Sequence, residues 1–378
     1  MTDQTASLEA VRRALDTVID PELRRPITEL GMLKDVAIDD GGNVTVEVLL
    51  TIAGCPLRGT ITEDVRRVLE PLAGVAGVTV LMDVMTPAQR NELKDRLKAG
   101  GRGNPFADPA SLTRIYAVAS GKGGVGKSSV TVNLACAMAA QGLRVGIVDA
   151  DVYGFSVPGL MGINQAPTQV DEMILPPVAH GVKVISIGMF VTGNQPVAWR
   201  GPMLHRALEQ FLTDVYFGDL DALFLDLPPG TGDVAISVAQ LLPASRLLVV
   251  TTPQSAAAEV AERAGSMAAQ TGQQVAGVIE NMSWLELADG SRLEVFGSGG
   301  GRTLADRLSV SLGTAIPLLG QIPLEQRLRE GGDSGLPIVL DDGAAGRSPA
   351  AVALRSIAEG LAATPRGLAG RSLGIAPA

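Results

Sequence analysis

The sequence predicts an α/β chain: a mostly parallel sheet flanked by helices, preceded by a small α+β domain of order αββαβ. Three observations lead there. Aromatic residues are only 3% of the chain, so packing falls to Ala, Val, Leu and Ile, the composition of parallel strands covered by helices on both faces. Short apolar runs at 115–119, 145–148, 182–187, 222–225, 247–250 and 275–279 alternate with helical stretches, as repeated βα units do. At 378 residues the chain is too long for one ordinary core and suits one small and one larger domain.

The small domain is read from its periodicities. Leu8, Val11, Leu15, Val18 and Ile19 recur at helical spacing and stop at Asp20-Pro21, where proline ends a helix. Strand-like residues 36–38 and 44–50 face each other across Asp39-Asp40-Gly41-Gly42-Asn43, a turn-rich hairpin loop. Leu57, Ile61, Val65, Val68 and Leu69 form a second helical stripe, and Val78, Val80, Met82 and Val84 alternate as in a strand. From Thr86 to Ser111 the pattern dissolves into charges and then into Gly and Pro punctuation. The expected division is therefore a small domain over 1–88, a linker over 89–111, the larger domain over 112–363, and a flexible tail over 364–378.

Composition narrows the partners. A formal charge of −9 leaves no basic field for a polyanion, so nucleic acid is not an expected partner. No apolar run approaches the ~20 residues of a membrane span, and the polar, amphipathic start does not read as a signal peptide. Two cysteines make no disulfide framework. The expectation is a cytoplasmic protein with no membrane partner.

The chemistry concentrates after the first strand of the larger domain. Gly121-Lys122-Gly123-Gly124-Val125-Gly126-Lys127-Ser128 satisfies G-x-x-x-x-G-K-[ST] in a strand–loop–helix context. Glycines let backbone N–H groups converge on phosphate oxygens, the following helix aims its positive end at them, and Lys127 neutralises β/γ charge. Ser128 offers a hydroxyl to Mg²⁺, and Ser129 completes the nucleotide-binding set. Lys122 is an additional charge inside the loop. It is either a solvated side chain or a group that reaches a partner subunit's phosphates, as an arginine finger does. Asp149, Asp151 and Asp226 follow strands at the edge where such sheets bind ligands. Asp226 is assigned to the metal's water shell and Asp151 to the attacking water, with Asp149 behind them; loop capping is the alternative for Asp149 and Asp151. Gly230 and Gly232 in Asp226-Leu227-Pro228-Pro229-Gly230-Thr231-Gly232-Asp233 supply a hinge sensing the γ-phosphate. Asn281, at another strand end, either reads adenine or serves a turn.

These motifs resemble known families. K-G-G-x-G-K-[ST] is similar to the deviant Walker A of the ParA/MinD/nitrogenase-iron-protein class, a resemblance that implies a Lys122 acting across a dimer. SGKGGVGKSSVTVNLA, DADVYGFSVPGLMG, VAWRGPM, DLPPGTGD, IENMSW, FGSGGG and QIPL occur in the order of the Mrp/ApbC/Nbp family, P-loop ATPases regarded as iron–sulfur cluster carriers. DPELRRPITELGML and TIAGCPLRGTI resemble the iron–sulfur assembly helper domain. The resemblance implies a dimeric, Mg²⁺-dependent ATPase that receives clusters from scaffold proteins and delivers them to apo-proteins. One departure matters: family members that bridge a cluster carry C-x-x-C after E-N-M-S, and here 284–295 contains no cysteine. Cys136, among Leu134, Ala135 and Ala137, reads as a core residue. Cys55 precedes Pro56 at a helix start, where a thiolate is favoured, and is either an Fe–S ligand or a half-buried cysteine. His180 and His205 have no metal-cluster spacing, and Trp199 and Arg200 match a family motif as an anchoring contact. The competing class is a MinD/ParA-like positioning or scaffold switch without a cluster; a kinase using the same loop lacks an acceptor-substrate module.

Overall fold

The computed structural model describes residues 7–52, 57–97, 103–152, 154–190, 201–230, 232–254, 263, 268–287 and 289–364. The chain forms two compact units: Met1–Gly103 with Pro167–Pro176 and Asp214–Gly218, and a second comprising Asn104–Ala166, Pro177–Thr213 and Asp219–Ala378.

In the first unit, α1 (Leu8–Leu15) is capped by Ser7, whose hydroxyl accepts from the Ala10 N–H at 3.1 Å, and it buries Val11 and Leu15. The helix ends at Leu15, short of the expected Asp20-Pro21 stop. Thr17 Oγ1 donates to the Ala14 carbonyl at 2.6 Å, and the β-branched run Thr17-Val18-Ile19 does not continue the helix. Asp20 organises the next turn, accepting from the N–H groups of Glu22 and Leu23. β1 (Leu33–Ile38) pairs antiparallel with β2 (Asn43–Leu50); α2 (Arg58–Leu69) crosses over, and β3 (Gly77–Val84) returns parallel to β2.

The stretch expected to be a linker begins with a helix, α3 (Pro87–Leu97), seated on buried Leu93. Its start is a capping box: Thr86 Oγ1 accepts from the Gln89 N–H at 3.3 Å, and Gln89 Oε1 accepts from the Thr86 N–H at 2.9 Å.

In the second unit β4 (Arg114–Ser120) leads through the glycine loop into α4 (Lys127–Ala140), followed by β5 (Val145–Asp149) and the short α5 (Val157–Leu160). The hairpin β6 (Thr168–Val170) and β7 (Met173–Leu175) belongs to the first unit, where Val170, Met173 and Leu175 share a core with Val11, Leu15 and Ile61. The second unit resumes with β8 (Val178–Ala179), β9 (Val182–Ser186), α6 (Gly201–Thr213), β10 (Ala222–Asp226), α7 (Asp233–Leu241), β11 (Arg246–Thr251) and β12 (Gln274–Asn281). The strands β13 (Leu285–Glu286) and β14 (Arg292–Leu293) form a small hairpin, and α8 (Gly300–Leu312), β15 (Leu318–Ile322), α9 (Gln326–Asp333) and α10 (Pro349–Ala362) complete the described chain.

The main sheet has eight strands in the order β15-β12-β11-β4-β10-β5-β9-β8. Every pairing is parallel except that of β8 with β9 at one edge. The fold class is thus the α/β architecture that the sequence implies. α4 is buried along most of its length rather than on one stripe, with Val130, Leu134, Cys136 and Met138 all inaccessible. It therefore holds the glycine loop against a rigid support. Among the described residues no helix is long and apolar enough to cross a membrane.

Candidate functional site

The sheet register brings the reactive side chains to one edge. Asp226, the last residue of β10, lies opposite Asp149 at the end of β5, and Asp149 lies opposite Ser186 at the end of β9. β4 ends beside them at Ser120, whose carbonyl accepts from the Gly230 N–H at 2.8 Å and so ties the 226–230 turn to the start of the glycine loop.

The loop itself is a cradle. Gly124 and Gly126 have φ of +78° and +80°, the left-handed region open to glycine. Gly126 is doubly constrained, because a Cβ there would clash with Asn281 Nδ2. A cavity of ≈ 290 Å³ opens over the loop and is lined by residues including Lys122, Gly123, Lys127, Ser128, Asp151 and Pro229. Ser129 also lines it.

At its base Lys127, only 6% exposed, forms an ion pair with Asp226 Oδ2 at 2.8 Å and stands 3.8 Å from Asp151 Oδ2. Ser128 Oγ donates to Asp226 Oδ2 at 2.5 Å, and Thr131 Oγ1 donates to Asp226 Oδ1 at 2.9 Å. Asp149 is fully buried and receives hydrogen bonds from Ser186 Oγ at 2.9 Å and from the Asp151 N–H at 3.2 Å. Burial, reinforced by the charge of Asp226, pushes its carboxyl up to about 7. Two buried carboxylates, Asp151 and Asp226, thus share the Lys127 ammonium, with Asp149 buried behind them.

That excess of negative charge beside a serine hydroxyl suits Mg²⁺, which Ser128 would hold and Asp226 would support through its water shell. Among the described residues no group of three or more His, Cys, Asp or Glu forms a stand-alone metal cage. Mg²⁺ needs none, because phosphate oxygens and water supply most of its shell.

The structure thus gathers Gly121 through Ser128, Asp151, Asp226 and, behind them, Asp149 at one edge. Asn281 is also there: Nδ2 donates to the Val125 carbonyl at 2.8 Å, bracing the loop, and Oδ1 is buried with no hydrogen-bond partner among the described residues. Lys122 lies against the cradle with its ammonium on Gln254 Oε1 at 2.7 Å. Cys136 is fully buried, and desolvation pushes its thiol up to about 12, so it is no thiolate ligand. Cys55, Trp199, Arg200 and Thr231 lie outside the described residues. Thr131, Ser186 and Gln254 are additions that motif reading passed over. Thr131 had a signal, standing one helical turn after Lys127 on the same face.

The cysteine-free stretch 284–295 carries the β13–β14 hairpin. Its Arg292 guanidinium lies 4.1 Å from the Trp284 ring centroid, and its turn is fixed by Asp289 accepting from the Ser291 N–H and hydroxyl.

Comparison with known proteins agrees with this geometry. Residues 111–362 match the family model described as NUBPL iron-transfer P-loop NTPase, and residues 8–81 match that of an iron–sulfur cluster assembly protein. A protein of Mycobacterium bovis named iron–sulfur cluster carrier protein is 62% identical over 97% of this chain and 96% of its own length. One of the same name from Synechocystis is 42% identical over 94% of this chain and 96% of its own. Among solved structures, a nucleotide-binding protein from Archaeoglobus fulgidus in complex with ADP is 35% identical, with a TM-score of 0.53, covering 63% of this chain and 90% of that one. The chain, matched by the P-loop NTPase model over 111–362 and with its glycine cradle and buried lysine in a strand–loop–helix setting, belongs to the NUBPL iron-transfer P-loop NTPase family.

Proposed function

We propose that this protein is a cytoplasmic, Mg²⁺-dependent ATPase that carries iron–sulfur clusters, accepting them from scaffold proteins and releasing them to apo-proteins as ATP closes and opens a homodimer. The observation that carries the ATPase reading is the buried Lys127 ammonium at the foot of the glycine cradle, 2.8 Å from Asp226 and adjacent to Ser128.

Binding exchanges partners. The β/γ-phosphates take the Lys127 ammonium from its carboxylates, while the backbone N–H groups of 123–128 and the start of α4 meet the remaining phosphate charge. Mg²⁺, when bound, neutralises charge on the β- and γ-oxygens. Asp151 orients a water for in-line attack on the γ-phosphorus. The new O–P bond forms as the bond to the β-phosphate oxygen breaks, giving ADP and inorganic phosphate. Lys122 of one copy stabilises the phosphate charge in the other. The unpaired Oδ1 of Asn281 is an acceptor suited to the exocyclic amine of adenine and unsuited to the O6 of guanine.

For the cargo, Cys136 is withdrawn by burial and 284–295 offers no thiol, which leaves Cys55. Two copies then supply two thiolates to a cluster that needs four ligands, leaving two positions for small thiols or for the recipient. Such a cluster is labile, as a carrier's cargo must be.

Anaerobic reconstitution with iron and sulfide, followed by absorption and by iron and sulfide content, should give a labile cluster in wild type and none in Cys55→Ser. A robust cluster in Cys55→Ser contradicts the ligand assignment. No cluster in either favours the competing reading, a nucleotide-driven scaffold switch, for which the missing C-x-x-C speaks. On the ATPase side, Lys127→Ala should lose nucleotide binding, whereas Lys122→Ala keeps binding and loses hydrolysis. Equal hydrolysis by Lys122→Ala and wild type contradicts the cross-dimer role.

A further inference from the structure

The two lysines of the cradle have different partners within the chain. Lys127 rests on carboxylates that share its buried pocket. Lys122 has no carboxylate within ion-pair reach among the described residues; its ammonium donates instead to the neutral Oε1 of Gln254 at 2.7 Å. The contact spans 132 residues of sequence and is built by the sheet, because β11 pairs in parallel with β4 in a register that places Val250 opposite Ser120. The strand continuation Thr251-Thr252-Pro253-Gln254 therefore runs out beside the first residues of the loop. The Lys122 backbone is held as well, its carbonyl accepting from Ser120 Oγ at 3.0 Å. Main chain and side-chain tip are both held by contacts within the chain itself.

We propose that Gln254 is a positioning residue that parks the Lys122 ammonium in the resting chain and gives it up to the nucleotide of a second copy. This rests on the cross-dimer reading of Lys122 given above. The amide is matched to the task. An ammonium has only hydrogens to offer, so the amide presents its oxygen, and the bond is charge-assisted yet carries no opposing charge. A glutamate at this position would form an ion pair that competes with phosphate. An alanine would leave the lysine to sample solvent. The parked state keeps the lysine ordered and withholds it from its transition-state role until a dimer assembles.

The test compares steady-state ATP hydrolysis by the full-length wild type, Gln254→Ala, Gln254→Asn and Gln254→Glu, with ADP·Mg²⁺ affinity measured by calorimetry on each. Gln254→Ala should raise kcat about fivefold, by removing a contact that must break on the way to the transition state. Gln254→Asn, too short to reach, should behave as Gln254→Ala. Gln254→Glu should lower kcat about tenfold, with a deficit that shrinks as salt screens the ion pair. ADP affinity should stay within about twofold throughout, because the loop residue that Gln254 holds, Lys122, acts on the nucleotide of the other copy. A kcat unchanged in all three variants, or lowered alike in all three, overturns the proposal, since a merely structural loop contact gives the same sign for every replacement. Lys122→Ala in the same assay separates the failures. If it hydrolyses ATP like wild type, the cross-dimer reading falls and this proposal with it; if it is inactive while the Gln254 variants match wild type, only the parking role is wrong.

Discussion

Asp149 carries the clearest consequence at the scale of single residues. Its folded carboxyl, raised to about 7, keeps a proton that the unfolded chain surrenders near its ordinary value of 3.8. Between those values the folded state binds more protons than the unfolded one, so the contribution of Asp149 to stability falls as pH rises, by up to about 1.4 kcal/mol per pH unit. Above about 7 both states are ionised and the slope vanishes. Urea unfolding of nucleotide-free protein from pH 4.5 to 7.5 should show Asp149→Asn gaining on wild type as pH increases; a pH-independent difference contradicts the burial argument. Gly126 makes a second prediction. Ala there meets Asn281 and adopts a strained φ of +80°, so Gly126→Ala should lose about 1–3 kcal/mol and at least about tenfold in nucleotide affinity. Adding Asn281→Ala removes the clash but not the backbone strain, so thermal melts and calorimetry should show partial recovery. The glycine-loop residues were legible because their spacing is the one that a phosphate cradle requires. Ser186 and Gln254 were not, because each is placed by strand register across long sequence separations and carries no spacing of its own.

Among the elements, α3 shows how a strong local signal is lost in a noisy stretch. Charges and the later glycines made 89–111 read as linker, yet Thr86-Pro87-Ala88-Gln89 is a capping box with proline at the first helical position. Thr86→Ala should cost about 1 kcal/mol, and Leu93→Ala, which empties a fully buried site, about 2–5 kcal/mol in chemical denaturation of the first unit. An equal, small effect of both would show that α3 is not part of that core. The β6–β7 hairpin was illegible for another reason. Its strands are three residues each, too short for a periodicity, and their partner residues Asp214 and Tyr216 lie about forty positions further on. Six of the eight strands of the main sheet were readable, since each is a short and largely apolar run; β15 and the two-residue β8 were not.

For the whole molecule, the first unit is assembled from three separated stretches of chain, and Val170, Met173 and Leu175 complete a core that the N-terminal stretch alone leaves open. A fragment of residues 1–103 should therefore show poor chemical-shift dispersion and non-cooperative melting, while the full chain melts cooperatively; a well-dispersed fragment spectrum would show the two excursions to be dispensable. The stretches leave and re-enter the second unit just after α5 and just before β10, the elements that flank Asp151 and end in Asp226. Titration calorimetry of the full-length protein with ATP and Mg²⁺ tests the account most directly. One saturable site per chain, abolished in Lys127→Ala, is the predicted result; no heat from well-folded wild-type protein, or an identical isotherm from Lys127→Ala, contradicts it.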